Sequence, residues 1–149
     1  MSRVLLVGWD SADWKIIQPL LDRGELPVLQ RLIEGGVMGN LASLRPMISP
    51  MLWTSIATGK RPYRHGVCGF IEVDYEMNTV VPVSASTRKC RAVWDILHEA
   101  GLRTHVIGWF ATHPAEPING VCVSDRFASP APHPGAPWPL TRGTVHPHR

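Results

Sequence analysis

Two residues of this chain carry groups that could act together. Asp10 ends a short apolar run, Val4-Leu5-Leu6-Val7-Gly8-Trp9. Ser49 opens the segment Ser49-Pro50-Met51-Leu52-Trp53-Thr54-Ser55-Ile56-Ala57-Thr58-Gly59-Lys60. A carboxylate at the carboxyl end of a buried strand and a hydroxyl at the start of a helix can meet at one edge of a parallel sheet. A metal ion shared between them would lower the pKa of the hydroxyl and make it a nucleophile. The free N–H groups of a helix start would also cradle a phosphoryl oxygen. Taken singly, each residue has a plainer role. Asp10 could cap the helix that follows it, and Ser49 could be an ordinary N-cap.

The elements that must position this pair can be read from periodicity. Val4 to Trp9 is continuous and apolar, which predicts a fully buried strand. Asp13 to Leu21 predicts a helix with Trp14, Ile17, Leu20 and Leu21 on one face. Pro19 inside it predicts a kink or early stop, and Gly24 a terminator. Pro27 opens a second helix, whose apolar face is Leu29, Leu32 and Ile33, ending at Gly35-Gly36. Val37 to Ala42 is strand-like. Ser49 to Ala57 reads as a helix with Ser49 as N-cap and Pro50 at its first position, closed by Thr58-Gly59.

Arg61 to Gly66 then reads as a loop. Phe70 to Val73 and Thr79 to Val83 predict a small antiparallel pair across Asp74 to Asn78. Thr87 to Ala100 predicts a helix, capped by Gly101, with Ala92, Val93, Ile96 and Leu97 on one face. Thr104 to Trp109 and Val121 to Val123 predict two more strands. This alternation implies an α/β fold with a right-handed parallel layer arrangement. From Arg126 onward, six prolines and three histidines replace aliphatic periodicity. The expected division is therefore an α/β domain over 1–125 and a Pro/His-rich irregular tail over 126–149.

Composition bounds the function class. The 149 residues are 44% hydrophobic and 18% charged, values of a globular domain. A net charge of +3 is spread in short sets such as Lys60-Arg61 and Arg88-Lys89. No basic stripe suits a nucleic-acid polymer. Cys68, Cys90 and Cys122 are odd in number and widely spaced, which argues against a disulfide framework or a cysteine zinc site and leaves buried or half-buried thiols. No secretory signal follows Arg3, and no apolar stretch approaches the roughly 18 residues of a membrane span. A cytoplasmic location is expected by default. Thr58-Gly59-Lys60 is not a P-loop, because Thr54 stands where that loop needs its first glycine. His65 reads as a structural hydrogen-bonder.

In combination the motifs are more specific. Val7-Gly8-Trp9-Asp10, then Pro46-Met47-Ile48-Ser49-Pro50, then Trp53 through Thr58-Gly59-Lys60-Arg61-Pro62-Tyr63-Arg64-His65-Gly66, resemble the type I phosphodiesterase/nucleotide pyrophosphatase family of the alkaline phosphatase superfamily. The resemblance continues through Val93-Trp94-Asp95-Ile96-Leu97 and Gly108-Trp109 to His113-Pro114-Ala115-Glu116-Pro117-Ile118-Asn119-Gly120. It implies an alkaline-phosphatase-like, three-layer parallel-sheet fold, here incomplete.

The resemblance also implies a metal-dependent phosphoesterase acting on small phosphate esters. Asp10 matches a metal ligand of that family. Ser49 matches the nucleophile, ligates the same metal and carries a phospho-enzyme intermediate. Thr58-Gly59 and His65-Gly66 match the turn that holds the nucleophile helix. Two divalent ions, zinc foremost, serve the family, and at most one partial site is expected here.

Two departures qualify this. Leu52 stands where nucleotide pyrophosphatases place an asparagine oxyanion donor, which favours a different branch. The remaining Asp and His ligands of the family come from later sequence, so the chain is expected to be the N-terminal part of such an enzyme. The competing expectation is a catalytically inactive fragment or interaction module. Uncovered sheet edges would then promote association.

Overall fold

The computed structural model describes residues 3–127 and 141–147. It divides into two compact units, Met1–Ala42 and Ser43–Arg149, each taken by itself below.

The first unit is a helix pair. α1 spans Trp14–Asp22, and its N-cap is Asp13, whose carboxylate accepts the Lys15 N–H at 2.8 Å. Ile17 and Leu21 are its buried residues. Pro19 lies inside α1 without stopping it early: the helix runs on to Asp22. Gly24 follows with φ +71, a left-handed turn that suits glycine. α2 spans Pro27–Glu34 and ends at Gly35. α1 and α2 pack on each other, and a cleft of about 280 Å³ lies among Trp14, Leu29, Leu32, Ile33, Val37 and Met38.

Two expected strands of this unit are not formed. Residues 4–9 and 37–42 have no regular structure. Val4 is 94% exposed, and Val37 is fully exposed. A parallel strand exists only through its neighbours, and no strand pairs with either run among the described residues.

The second unit carries the sheets. α3 spans Ser49–Thr58 and closes on Gly59 at φ +64. Arg61 to Gly66, expected as a loop, contains a one-turn helix, α4, over Pro62–His65. Proline at its first position favours the turn, since a missing N–H costs nothing there. β1, Ile71–Asp74, pairs antiparallel with β2, Thr79–Pro82, as the sequence predicts. α5 is shorter than predicted, Val93–Glu99. The Asp95 carboxylate accepts the Ala92 N–H at 2.7 Å and so fixes the start of the helix there. The preceding segment instead makes a 3-10 turn at Ala85–Thr87.

β3, Thr104–Trp109, and β4, Gly120–Ser124, pair in parallel, Val106 opposite Cys122. The α/β class is thus observed, with small and open sheets. Ala57 of α3, Trp94 of α5, Val106 and Cys122 share one core cluster. The helices therefore cover the Val106 side of the strands, whereas Ile107 on the other side is 76% exposed.

Gly120 permits the close approach of the two strands: a Cβ there would lie 1.9 Å from the Thr104 carbonyl oxygen. Of the stretch expected as a tail, 128–140 and 148–149 fall outside the described residues. Val145–His146 form β5, antiparallel to β4. Of the three free thiols, Cys122 is buried and Cys90 half-buried as expected, whereas Cys68 is exposed.

Candidate functional site

Ser49 is the first helical residue of α3, and the N-cap is Ile48, in extended conformation. Ile48 offers no capping side chain, and Pro50 has no N–H to satisfy. Ser49 therefore does not take the plain N-cap role. It is half-buried. The positive end of the α3 dipole lies at its position. Leu52 is also half-buried, and its N–H is engaged by the Ile48 carbonyl at 3.0 Å.

α3 is held from two sides. On one side the Trp109 indole N–H donates to the Trp53 carbonyl at 3.0 Å, and the two rings meet edge to face at 5.1 Å. Trp94 adds a second edge contact to Trp109 at 6.1 Å. Trp109 reaches this position through a bulge. Gly108 sits at φ +64, and the β3–β4 register shifts between Ile107 and Trp109.

On the other side stands His65, fully buried. The Val67 N–H donates to its Nδ1 at 3.1 Å, so its proton is on Nε2. Nε2 lies 2.9 Å from the Ser55 Oγ, which donates to the Met51 carbonyl at 2.8 Å. Burial pushes the imidazole below its ordinary value of 6.5, a shift opposed by the Met51 backbone bond. Both ring nitrogens are used, which bears out His65 as a structural hydrogen-bonder.

Asp10 belongs to the first unit. It is an exposed turn residue after the 4–9 run. The cap of α1 is Asp13, so Asp10 does not serve as that cap. Among the described residues, no group of three His, Cys, Asp or Glu side chains could hold a metal. Zinc takes about four ligands; Asp10 by itself supplies at most a bidentate carboxylate, and Ser49 by itself a single hydroxyl oxygen.

Sequence reasoning passed over Asp125. Its carboxylate accepts the Ala111 N–H at 3.1 Å and the Thr112 N–H at 3.3 Å, and it holds Ala111 at φ +56. Its signal was available: it follows β4 as Asp10 follows the 4–9 run. Arg88 was passed over too. Its guanidinium bonds Asp95 at 2.9 Å and Glu116 at 2.5 Å and lies 5.3 Å over the Trp94 ring. Glu116 also accepts the Trp94 indole N–H at 2.9 Å.

The family model described as Type I phosphodiesterase / nucleotide pyrophosphatase matches residues 4–144. The chain belongs to that family, whose chemistry is the hydrolysis of small phosphate esters and is generally metal-dependent. No curated protein and no solved structure matches the chain.

Proposed function

We propose that the chain serves phosphate-ester hydrolysis through Ser49 as nucleophile. The Ser49 Oγ forms a bond to phosphorus, and the P–O bond to the leaving group breaks, its oxygen keeping the electron pair. The hydroxyl proton passes to water. Water then hydrolyses the phosphoryl-serine. The N-terminus of α3 stabilises the negative charge that gathers on the phosphoryl oxygens.

The observation that carries this reading is the position of Ser49. In a chain of this family, it heads a ten-residue helix without serving as that helix's N-cap. Asp10 is the proposed metal-ligating carboxylate and Ser49 the proposed hydroxyl ligand, for a divalent ion, zinc foremost. Such an ion, when bound, lowers the pKa of a hydroxyl it touches.

The test is hydrolysis of bis-p-nitrophenyl phosphate with added zinc or manganese. The expected result is activity that Ser49→Ala abolishes and Asp10→Asn lowers at least a hundredfold. Ser49→Ala turning over at the parent rate would overturn the reading. A second reading, a chain that is not itself catalytic, is favoured by the absence of a three-ligand group among the described residues. It is selected if no variant and no added metal gives turnover.

A further inference from the structure

At the carboxyl ends of the parallel strands β3 and β4, one carboxylate holds a strained turn. Asp125 directly follows Ser124, whose register partner is Trp109 at the end of β3. The Asp125 carboxylate accepts the Ala111 N–H at 3.1 Å and the Thr112 N–H at 3.3 Å. The Asp125 N–H donates to the Thr112 hydroxyl at 3.1 Å. That hydroxyl donates in turn to the Trp109 carbonyl at 2.5 Å, and Thr112 is fully buried. Ala111 stands at φ +56. A residue other than glycine keeps such a backbone only where its surroundings over-determine it, and the Asp125 bonds supply that constraint.

The turn carries Trp109, and Trp109 braces α3. Its indole N–H donates to the Trp53 carbonyl at 3.0 Å, and the two rings meet edge to face at 5.1 Å. Trp53 lies four residues after Ser49, one turn away on the same face of α3. A shift of the 109–112 turn is therefore passed to the helix face that bears Ser49. We infer that Asp125 is a positioning residue for the nucleophile: through Thr112 and Trp109 it sets where the first turns of α3, and Ser49 with them, stand. The inference rests on Ser49 as the proposed nucleophile. An Asp125 that merely closed its own turn would lower the melting temperature on removal and leave Ser49 where it is.

An assigned proton–nitrogen correlation spectrum of the full chain separates the two. Asp125→Asn leaves one oxygen for two N–H groups. The expected result is an unchanged circular dichroism spectrum, a Trp109 indole hydrogen that exchanges about tenfold faster, and shifted Trp53 and Ser49 amide peaks. Thr112→Val should act like Asp125→Asn, and Thr112→Ser, which keeps the hydroxyl, should hold the peaks at their parent positions. Arg91→Ala, at an exposed ion pair, should move none of them. If Asp125→Asn does not fold, the two Thr112 variants carry the test. A Ser49 peak that stays in place in Asp125→Asn or Thr112→Val overturns the inference, whatever the melting temperature does. So does a Thr112→Ser or Arg91→Ala variant that shifts the peaks as far as Thr112→Val. In turnover of bis-p-nitrophenyl phosphate, Asp125→Asn should lower kcat about tenfold or more with KM unchanged, since displacing a reacting group by 1 Å can cost about a hundredfold. A parent-like kcat, in a chain that Ser49→Ala inactivates, overturns the inference as well. The spectra need no turnover. A chain without activity, or an active Ser49→Ala variant, therefore ends the nucleophile reading alone, and the peaks still decide whether Asp125 places Ser49.

Discussion

The His65 Nε2 and the Ser55 Oγ stand 2.9 Å apart, and the Ser55 hydroxyl passes the contact on to the Met51 carbonyl. A buried imidazole in α4 is thereby tied to the first half of α3, two residues from Ser49. The Lys89 N–H bonds the His65 carbonyl at 2.9 Å and brings in a third segment. One residue thus joins three stretches of sequence around α3, through its ring to Ser55 and through its main-chain carbonyl to Lys89.

Removing His65 should therefore cost stability. His65→Ala leaves the Val67 N–H without its acceptor and opens a buried space, a loss of about 2–4 kcal/mol. Ser55→Ala removes the hydrogen bonds to the Met51 carbonyl and to His65 Nε2 but opens little space, and should cost about 1–2 kcal/mol. Urea unfolding at neutral pH checks both, and equal losses would contradict the linkage described.

The same imidazole sets a pH dependence. Its folded-state pKa is lowered, chiefly by burial, so below pH 6.5 the unfolded chain binds the proton that the folded chain refuses. Stability should hold above the unfolded value and fall as pH drops below it, with a slope of at most about 1.4 kcal/mol per pH unit from this group. His113, also lowered, by burial and then by Arg126, adds to the fall with the same sign. His65→Gln should flatten part of the slope in a pH series of unfolding curves. An unchanged slope would show that His65 does not titrate in this way.

Arg88 holds Asp95 and Glu116 with a side chain that is only 5% exposed. Arg88→Met leaves two half-buried carboxylates without their cation and should cost roughly 2–4 kcal/mol. Arg88→Lys keeps the charge but not the planar fork, and should fall between Met and the parent. Thermal melts of the three proteins check the order.

Gly120 faces the Thr104 carbonyl oxygen too closely for any Cβ. Gly120→Ala should separate β3 from β4 and give no cooperative melt. A parent-like melting curve would show that the parallel pairing is not needed.

The legible part of the fold was local. Pro27 and Gly59 mark helix ends by their backbone chemistry, and the β1–β2 turn and the β3 and β4 apolar runs read correctly. What failed depended on partners that composition does not reveal. Val4 to Trp9 has the pattern of a buried strand but no neighbour to pair with among the described residues. The start of α5 is set by Asp95 reaching back to Ala92, and Thr87 is drawn instead toward Glu72. At the site, Ser49 and Asp10 were visible by type and position. The link from Ser55 to His65 was not, because the two stand ten positions apart in the sequence.

Ser49 as nucleophile is tested most directly by trapping. The purified chain is mixed with bis-p-nitrophenyl phosphate and zinc or manganese, quenched in acid, and digested for peptide mass analysis. The expected result is a nitrophenylphosphoryl adduct on Ser49, absent without metal and absent in Ser49→Ala. An adduct on another residue, or turnover with Ser49 unmodified and its alanine variant equally active, would contradict the account.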